Sequence, residues 1–93
     1  MDVIQEKRTR ILVAAGRHGA TNLRVFGSVV RGEAGPESDL DLLVEMEPGR
    51  SLLDHIALIH DLEEVLGCRV DMVTEKALKE RYKERVLSEA IAL

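Results

Sequence analysis

Apolar and polar positions change period several times along the chain, and each change marks an element. Over residues 3 to 18 the apolar positions Val3, Ile4, Ile11, Leu12 and Ala15 follow a helical rhythm, interrupted at Lys7 and Arg8. Gly16 and Gly19 weaken its end. Leu23-Arg24-Val25-Phe26 reads as a short strand, and the loop Gly27-Ser28-Val29-Val30-Arg31-Gly32 follows it. Residues 33 to 38, with Gly35 and Pro36, read as a turn. Residues 39 to 45 then alternate for most of their length. Leu40, Leu42 and Val44 point one way, and Asp39 and Asp41 the other.

Pro48 and Gly49 close that strand. Leu52, Ile56, Ile59, Leu62 and Leu66 return to helical spacing, with Asp54, Asp61 and Glu64 on the wet side and Gly67 at the end. Residues 69 to 73 predict a third strand. Thr74 offers an N-cap for a last helix whose apolar stripe is Leu78, Tyr82, Val86 and Ala90. The order helix, strand, strand, helix, strand, helix is best buried as a small sheet backed by helices.

With 93 residues the chain supports one domain, 1–93, of modest stability. Association with a partner or a second copy would add to that stability. The net charge of −4 argues against non-specific DNA binding, which draws on basic side chains. One cysteine, Cys68, excludes an internal disulfide and fits a reducing compartment. The charged N-terminus lacks an apolar signal run and no stretch has the length to cross a bilayer, so the expectation is a cytoplasmic protein with no membrane partner.

The candidate chemistry lies in a combination: Gly27-Ser28, then ten residues, then Asp39-x-Asp41, then Asp71 on the next strand. Residues two apart on a strand share a face, with Cα atoms roughly 7 Å apart. Two carboxylates converging to about 5 Å repel by ~3 kcal/mol at an effective dielectric near 20. A divalent cation would relieve that repulsion, and hard oxygen ligands suit Mg²⁺ or Mn²⁺ whose shells substrate phosphates complete. Asp71, flanked by the apolar Val70 and Met72, could join the pair if its strand lies alongside. Three carboxylates can hold two metals around a phosphoryl displacement, and Asp71 could take the proton of the attacking hydroxyl.

The loop adds phosphate-binding groups: the Gly27 backbone, the Ser28 hydroxyl and the forked Arg31 guanidinium, one helical turn further on. Other signatures fail. Glu33-Ala34 stands where a P-loop needs Lys and Ser or Thr, and Leu43 and Val44 break an EF-hand loop. Taken alone, Asp39 and Asp41 would read as the wet face of an edge strand. His18, His55 and His60 lack metal-ligand spacing and read as surface or partner-contact residues. Cys68 reads as packed and Tyr82 as core. Lys79, Arg81, Lys83 and Arg85, interleaved with Glu80 and Glu84, read as a solvated face that could also reach a triphosphate.

Gly27-Ser28-Val29-Val30-Arg31-Gly32 through Ser38-Asp39-Leu40-Asp41-Leu42-Leu43-Val44 resembles the signature of the DNA polymerase beta-like nucleotidyltransferases, and with Asp71 its minimal nucleotidyltransferase branch. The resemblance spans essentially the whole chain. Val30 departs from the alanine that many members carry. The resemblance implies an α+β, palm-like fold with a small mixed sheet. It implies Asp39, Asp41 and Asp71 as catalytic carboxylates binding two Mg²⁺ ions, and Gly27, Ser28 and Arg31 as nucleotide ligands, with ATP as substrate. Members commonly pair with helical HEPN-domain toxins as antitoxins, and some transfer AMP to a tyrosine of the toxin. The chain lacks the helical substrate-binding domain of larger relatives, so the acceptor surface must come from elsewhere. Three roles are therefore expected to compete: an adenylyl-transferring antitoxin, a nucleotide-binding module that neutralises its partner by contact alone, and a structural subunit of a larger transferase.

Overall fold

A computed structural model of the chain describes residues 2–33, 35 and 39–93. The turn expected over residues 33–38 lies mostly outside the described residues. The elements run α1 (Asp2–Glu6), α2 (Arg8–Arg17), β1 (Ala20–Phe26), α3 (Ser28–Arg31), β2 (Leu40–Met46), α4 (Leu52–Leu66), β3 (Val70–Thr74), a 3₁₀ turn (Glu75–Ala77), α5 (Glu80–Glu89) and β4 (Ile91–Ala92).

The four strands form one mixed sheet in the order β3-β2-β1-β4. β1 runs antiparallel to β2 and to β4, whereas β2 and β3 are parallel. A parallel pair needs a crossover, and α4 supplies it. The expected α+β architecture is present.

The two faces of the sheet have different work. Leu40, Leu42 and Val44 of β2 join Leu23 and Val25 of β1 and Val70 and Met72 of β3 in the core, under Ile11, Ala14 and Ala15 of α2 and Leu58 and Leu62 of α4. The opposite face carries Asp41 and Leu43 of β2, with Phe26 and Arg24 as their respective partners on β1. Leu43 is fully buried there, so the centre of β2 is covered on both sides. Among the described residues no helix is long and apolar enough to cross a membrane.

Several expectations are corrected. The first helix is two segments, parted at Lys7. Backbone bonds Lys7 N–H to Val3 O and Ile11 N–H to Lys7 O, both 3.0 Å, run through the junction. Lys7 interrupts the apolar rhythm because its ammonium donates to the Val65 carbonyl at 2.9 Å, in the last turn of α4, where carbonyls lack helical partners. The buried stripe of α4 is Leu58, Leu62 and Leu66, rotated from the expected one. Leu52 and Ile56 stay exposed.

The last helix does not start at Thr74. The chain makes the 3₁₀ turn first and α5 begins at Glu80, without a buried residue. Tyr82 is 47% exposed rather than core. The two-residue strand β4 is too short to declare itself by alternation.

Candidate active site

β2 and β3 pair in parallel with Asp41 opposite Asp71. Register partners on neighbouring strands, about 4.8 Å apart, project to the same face. Phe26, the last residue of β1, pairs with Asp41 from the other side. The two aspartates and the loop after β1 therefore meet at one end of one face. Asp39 stands exposed just before β2, tied into the sheet by the Leu40 N–H bond to the Arg69 carbonyl at 2.9 Å.

Asp41 pays for this crowding. Its carboxyl is pushed above the ordinary carboxylate value, first by desolvation, then by the charges of Asp71 and Asp39, while Arg31 works in the opposite direction. An acid raised by its like-charged neighbours is one that would gain from a cation. Hard carboxylate oxygens with open space beside them fit a Mg²⁺-class ion, whose remaining positions water and phosphate fill. Among the described residues no three His, Cys, Asp or Glu side chains converge closely enough to hold a metal ion. The trio of Asp39, Asp41 and Asp71 expected from the sequence is therefore not gathered as one three-acid cluster; the pair brought together in register is Asp41 and Asp71.

Gly27 is required by both conformation and space. Its φ of 80° and ψ of −152° lie where only glycine sits without strain, and a Cβ there would collide with Oδ2 of Asp41. Ser28 opens α3, half-buried, and Arg31 closes it. The Arg31 guanidinium is already engaged: Nη1 donates to Glu89 Oε1 at 2.7 Å and Nε to Glu33 Oε2 at 3.1 Å. The Gly27 N–H donates to the other oxygen of Glu89, Oε2, at 3.2 Å.

A cleft of about 430 Å³ gathers these groups, lined by Phe26, Gly27, Arg31, Asp41 and Asp71 on one side and Tyr82, Arg85, Val86 and Glu89 of α5 on the other. Thus Gly27, Arg31, Asp41 and Asp71 share one cavity, whereas Ser28 and Asp39 are not among its lining residues. The α5 wall is the part that sequence reasoning missed. In the sequence Arg85 belongs to a solvated charged face, Tyr82 to an apolar stripe, and Glu89 carries no signal, being one acid among many on a charged helix.

The remaining candidates lie elsewhere. His18 Nε2 is 2.6 Å from Asp61 Oδ2, linking α2 to α4, and His55 Nε2 donates to the Met72 carbonyl at 3.1 Å. Both tie elements together within the chain. Cys68 is exposed, not packed, and desolvation with the nearby Glu63 and Asp39 charges holds its thiol above the usual range, away from nucleophilic use.

Residues 10–93 match the family model described as a nucleotidyltransferase domain. The chain is 41% identical over 88 residues to a Methanocaldococcus jannaschii protein provisionally named protein adenylyltransferase MJ0435, covering 95% of each. It is 47% identical over 75 residues to the protein adenylyltransferase MntA of Thermococcus cleftensis, covering 81% of this chain and 76% of that one. A solved structure provisionally described as a minimal nucleotidyltransferase superposes with a TM-score of 0.89 at 53% identity, over 99% of this chain and 94% of the other. A toxin–antitoxin structure with AMP-PNP, at 19% identity, shares the fold with a TM-score of 0.75, over 90% of this chain and 69% of that one.

Proposed function

The chain belongs to the nucleotidyltransferase domain family, in its minimal branch, and on that premise we propose that it transfers AMP from ATP to a hydroxyl of a partner protein in a Mg²⁺-dependent reaction. The partner in this reading is a HEPN-domain toxin, and the chain is its antitoxin. The names of the similar adenylyltransferases support the reaction class. The observation that carries the reading is the register pairing of Asp41 with Asp71 beside Gly27 and Arg31, in one cleft.

Each residue then has a defined task. Asp39, Asp41 and Asp71 would hold the divalent ions, which would neutralise charge on the phosphates. The Gly27 N–H, the Ser28 hydroxyl and the Arg31 guanidinium bind the β- and γ-phosphates and orient the triphosphate. Asp71, on the more exposed strand, accepts the proton of the acceptor hydroxyl as its oxygen attacks the α-phosphorus. The bond from the α-phosphorus to the bridging oxygen breaks, and pyrophosphate leaves.

The test is label transfer from α-labelled ATP to the co-expressed partner. Transfer by the wild type and its loss in the Asp39→Asn/Asp41→Asn variant are expected; transfer by that variant would refute the assignment. A second reading, neutralisation by contact alone, draws on the exposed Leu52 and Leu53 (72% and 77%) beside Ile56 on α4. It predicts that the double variant still silences the partner, so the same variant separates the two.

A further inference from the structure

The two donors assigned above to the nucleotide's phosphates are occupied by one side chain of the protein itself. Glu89 spans them, with Oε2 on the Gly27 N–H at 3.2 Å and Oε1 on Arg31 Nη1 at 2.7 Å. Two oxygens on one carbon reach the two donors as two oxygens on one phosphorus would. The Glu89 side chain is only 15% exposed. It is held ionised chiefly by the Arg31 hydrogen bond, with help from the Gly27 N–H and the charges of Arg31 and Arg85, against the cost of desolvation. An anion thus already rests in this part of the cleft.

The helix that carries Glu89 is attached in a way that lets it move. α5 has no buried residue, and its N-cap, Lys79, makes no side-chain cap bond. Its downstream anchor is β4, two residues paired with Arg24 and Val25, followed by the Leu93 N–H bond to the Leu23 carbonyl at 3.0 Å. Elements with few buried contacts open at low free-energy cost. Its wall of the cleft also carries Tyr82, Arg85 and Val86, so a displacement of α5 reshapes the acceptor side as well.

We propose that Glu89 is an internal phosphate mimic: it latches α5 across the cleft, and a nucleotide's polyphosphate must displace it, releasing α5 as it binds. This rests on the assignment of Gly27 and Arg31 to the phosphates. Displacement exchanges one anion for another on Arg31 and removes a charge that burdens Asp41. The latch thereby sets the apparent affinity of the site, because only the unlatched fraction is competent to bind.

The experiment compares wild type, E89Q and E89A by calorimetric titration with inorganic tripolyphosphate, without metal, and follows hydrogen exchange of residues 80–93 in the wild type. Both variants should bind tripolyphosphate on the order of 5-fold more tightly, since an ion pair with one partner still open to solvent is worth roughly that factor or more. Polyphosphate should also speed exchange in α5 of the wild type. Equal or weaker binding by E89Q, no binding by any of the three proteins, or slower exchange in α5 would each overturn the latch. E89Q keeps the shape of the side chain, so it decides the question if E89A unfolds. Failure of label transfer to a partner with the gain in anion binding intact would refute the transfer reading and leave the latch standing; the opposite pattern would do the reverse.

Discussion

Replacing Asp41 by asparagine should stabilise the metal-free protein while abolishing its stabilisation by Mg²⁺. Asp41 sits beside Asp71 in register, and its carboxyl is raised by desolvation and by the Asp71 and Asp39 charges. Two carboxylates about 5 Å apart repel by ~3 kcal/mol at an effective dielectric of 20. Asp41 is only half-buried, and Arg31 offsets part of the repulsion, so solvent screening reduces the net cost to about 1 kcal/mol. For a domain of this size that corresponds to a rise in Tm of roughly 4–8 °C.

The sign of the pH dependence follows from the direction of the shift. An acid whose folded pKa lies above its unfolded value favours the folded state when protonated. Stability therefore falls as pH rises from the ordinary carboxylate value through the raised one. The advantage of Asp41→Asn should be complete above that window and vanish below it. Thermal melts with EDTA and with Mg²⁺, across pH, read both effects. Mg²⁺ should raise the Tm of the wild type by mass action and leave the variant unmoved. An Asp41→Asn protein that melts at or below the wild type in EDTA at neutral pH would refute the argument.

Gly27→Ala should lose Mg²⁺–ATP binding by calorimetry and cost about 1–3 kcal/mol in denaturant titration, because the backbone conformation is glycine's and the new methyl meets the Asp41 carboxylate. Asp54→Ala should lower the Tm near neutral pH by removing the capping box in which Asp54 accepts the Ser51 N–H at 2.9 Å. Asp54 has a depressed pKa, led by that backbone bond, so its contribution is present above the ordinary carboxylate value; the gap in Tm should close as pH falls through the depressed one. Leu58→Ala, fully buried, should cost about 2–5 kcal/mol in urea, whereas Tyr82→Ala, half-exposed with Arg81 over its ring, should cost less than about 1 kcal/mol.

How far the chain could be read in advance depended on how local each signal was. The alternation of residues 39 to 45 announced both the core face and the acid face of β2, because strand periodicity is a property of consecutive residues. Asp71 needed one further step, the pairing of β3 beside β2, which short α4 crossovers favour. The rotation of α4 escaped because Leu52, Ile56 and Leu58 are equally apolar, and only the packing against α2 and the sheet selects Leu58. The α5 wall escaped for a different reason. Its stripe of Leu78, Tyr82 and Val86 has core-like spacing, yet it lines a cleft, and cleft walls and cores share the same pattern of residues. Glu89 is the extreme case, since its meaning comes from two donors about sixty residues upstream.

Asp41 stands on the strand best able to carry it. β2 is hydrogen-bonded on both edges, and Leu42, Leu43 and Val44, immediately after Asp41, are fully buried. Repulsion between Asp41 and Asp71 therefore cannot relax by splaying the strands without opening the core on one face and Leu43 on the other. Asp71, exposed on the edge strand β3, is the freer of the two, so the conflict bears chiefly on Asp41. Gly27 closes the remaining escape, because its missing side chain leaves Asp41 room only beside the phosphate-binding backbone. The charge conflict is thus confined to the place where a cation and a polyphosphate together would resolve it. This is why loss of a single carboxylate should alter stability and ligand response in opposite directions.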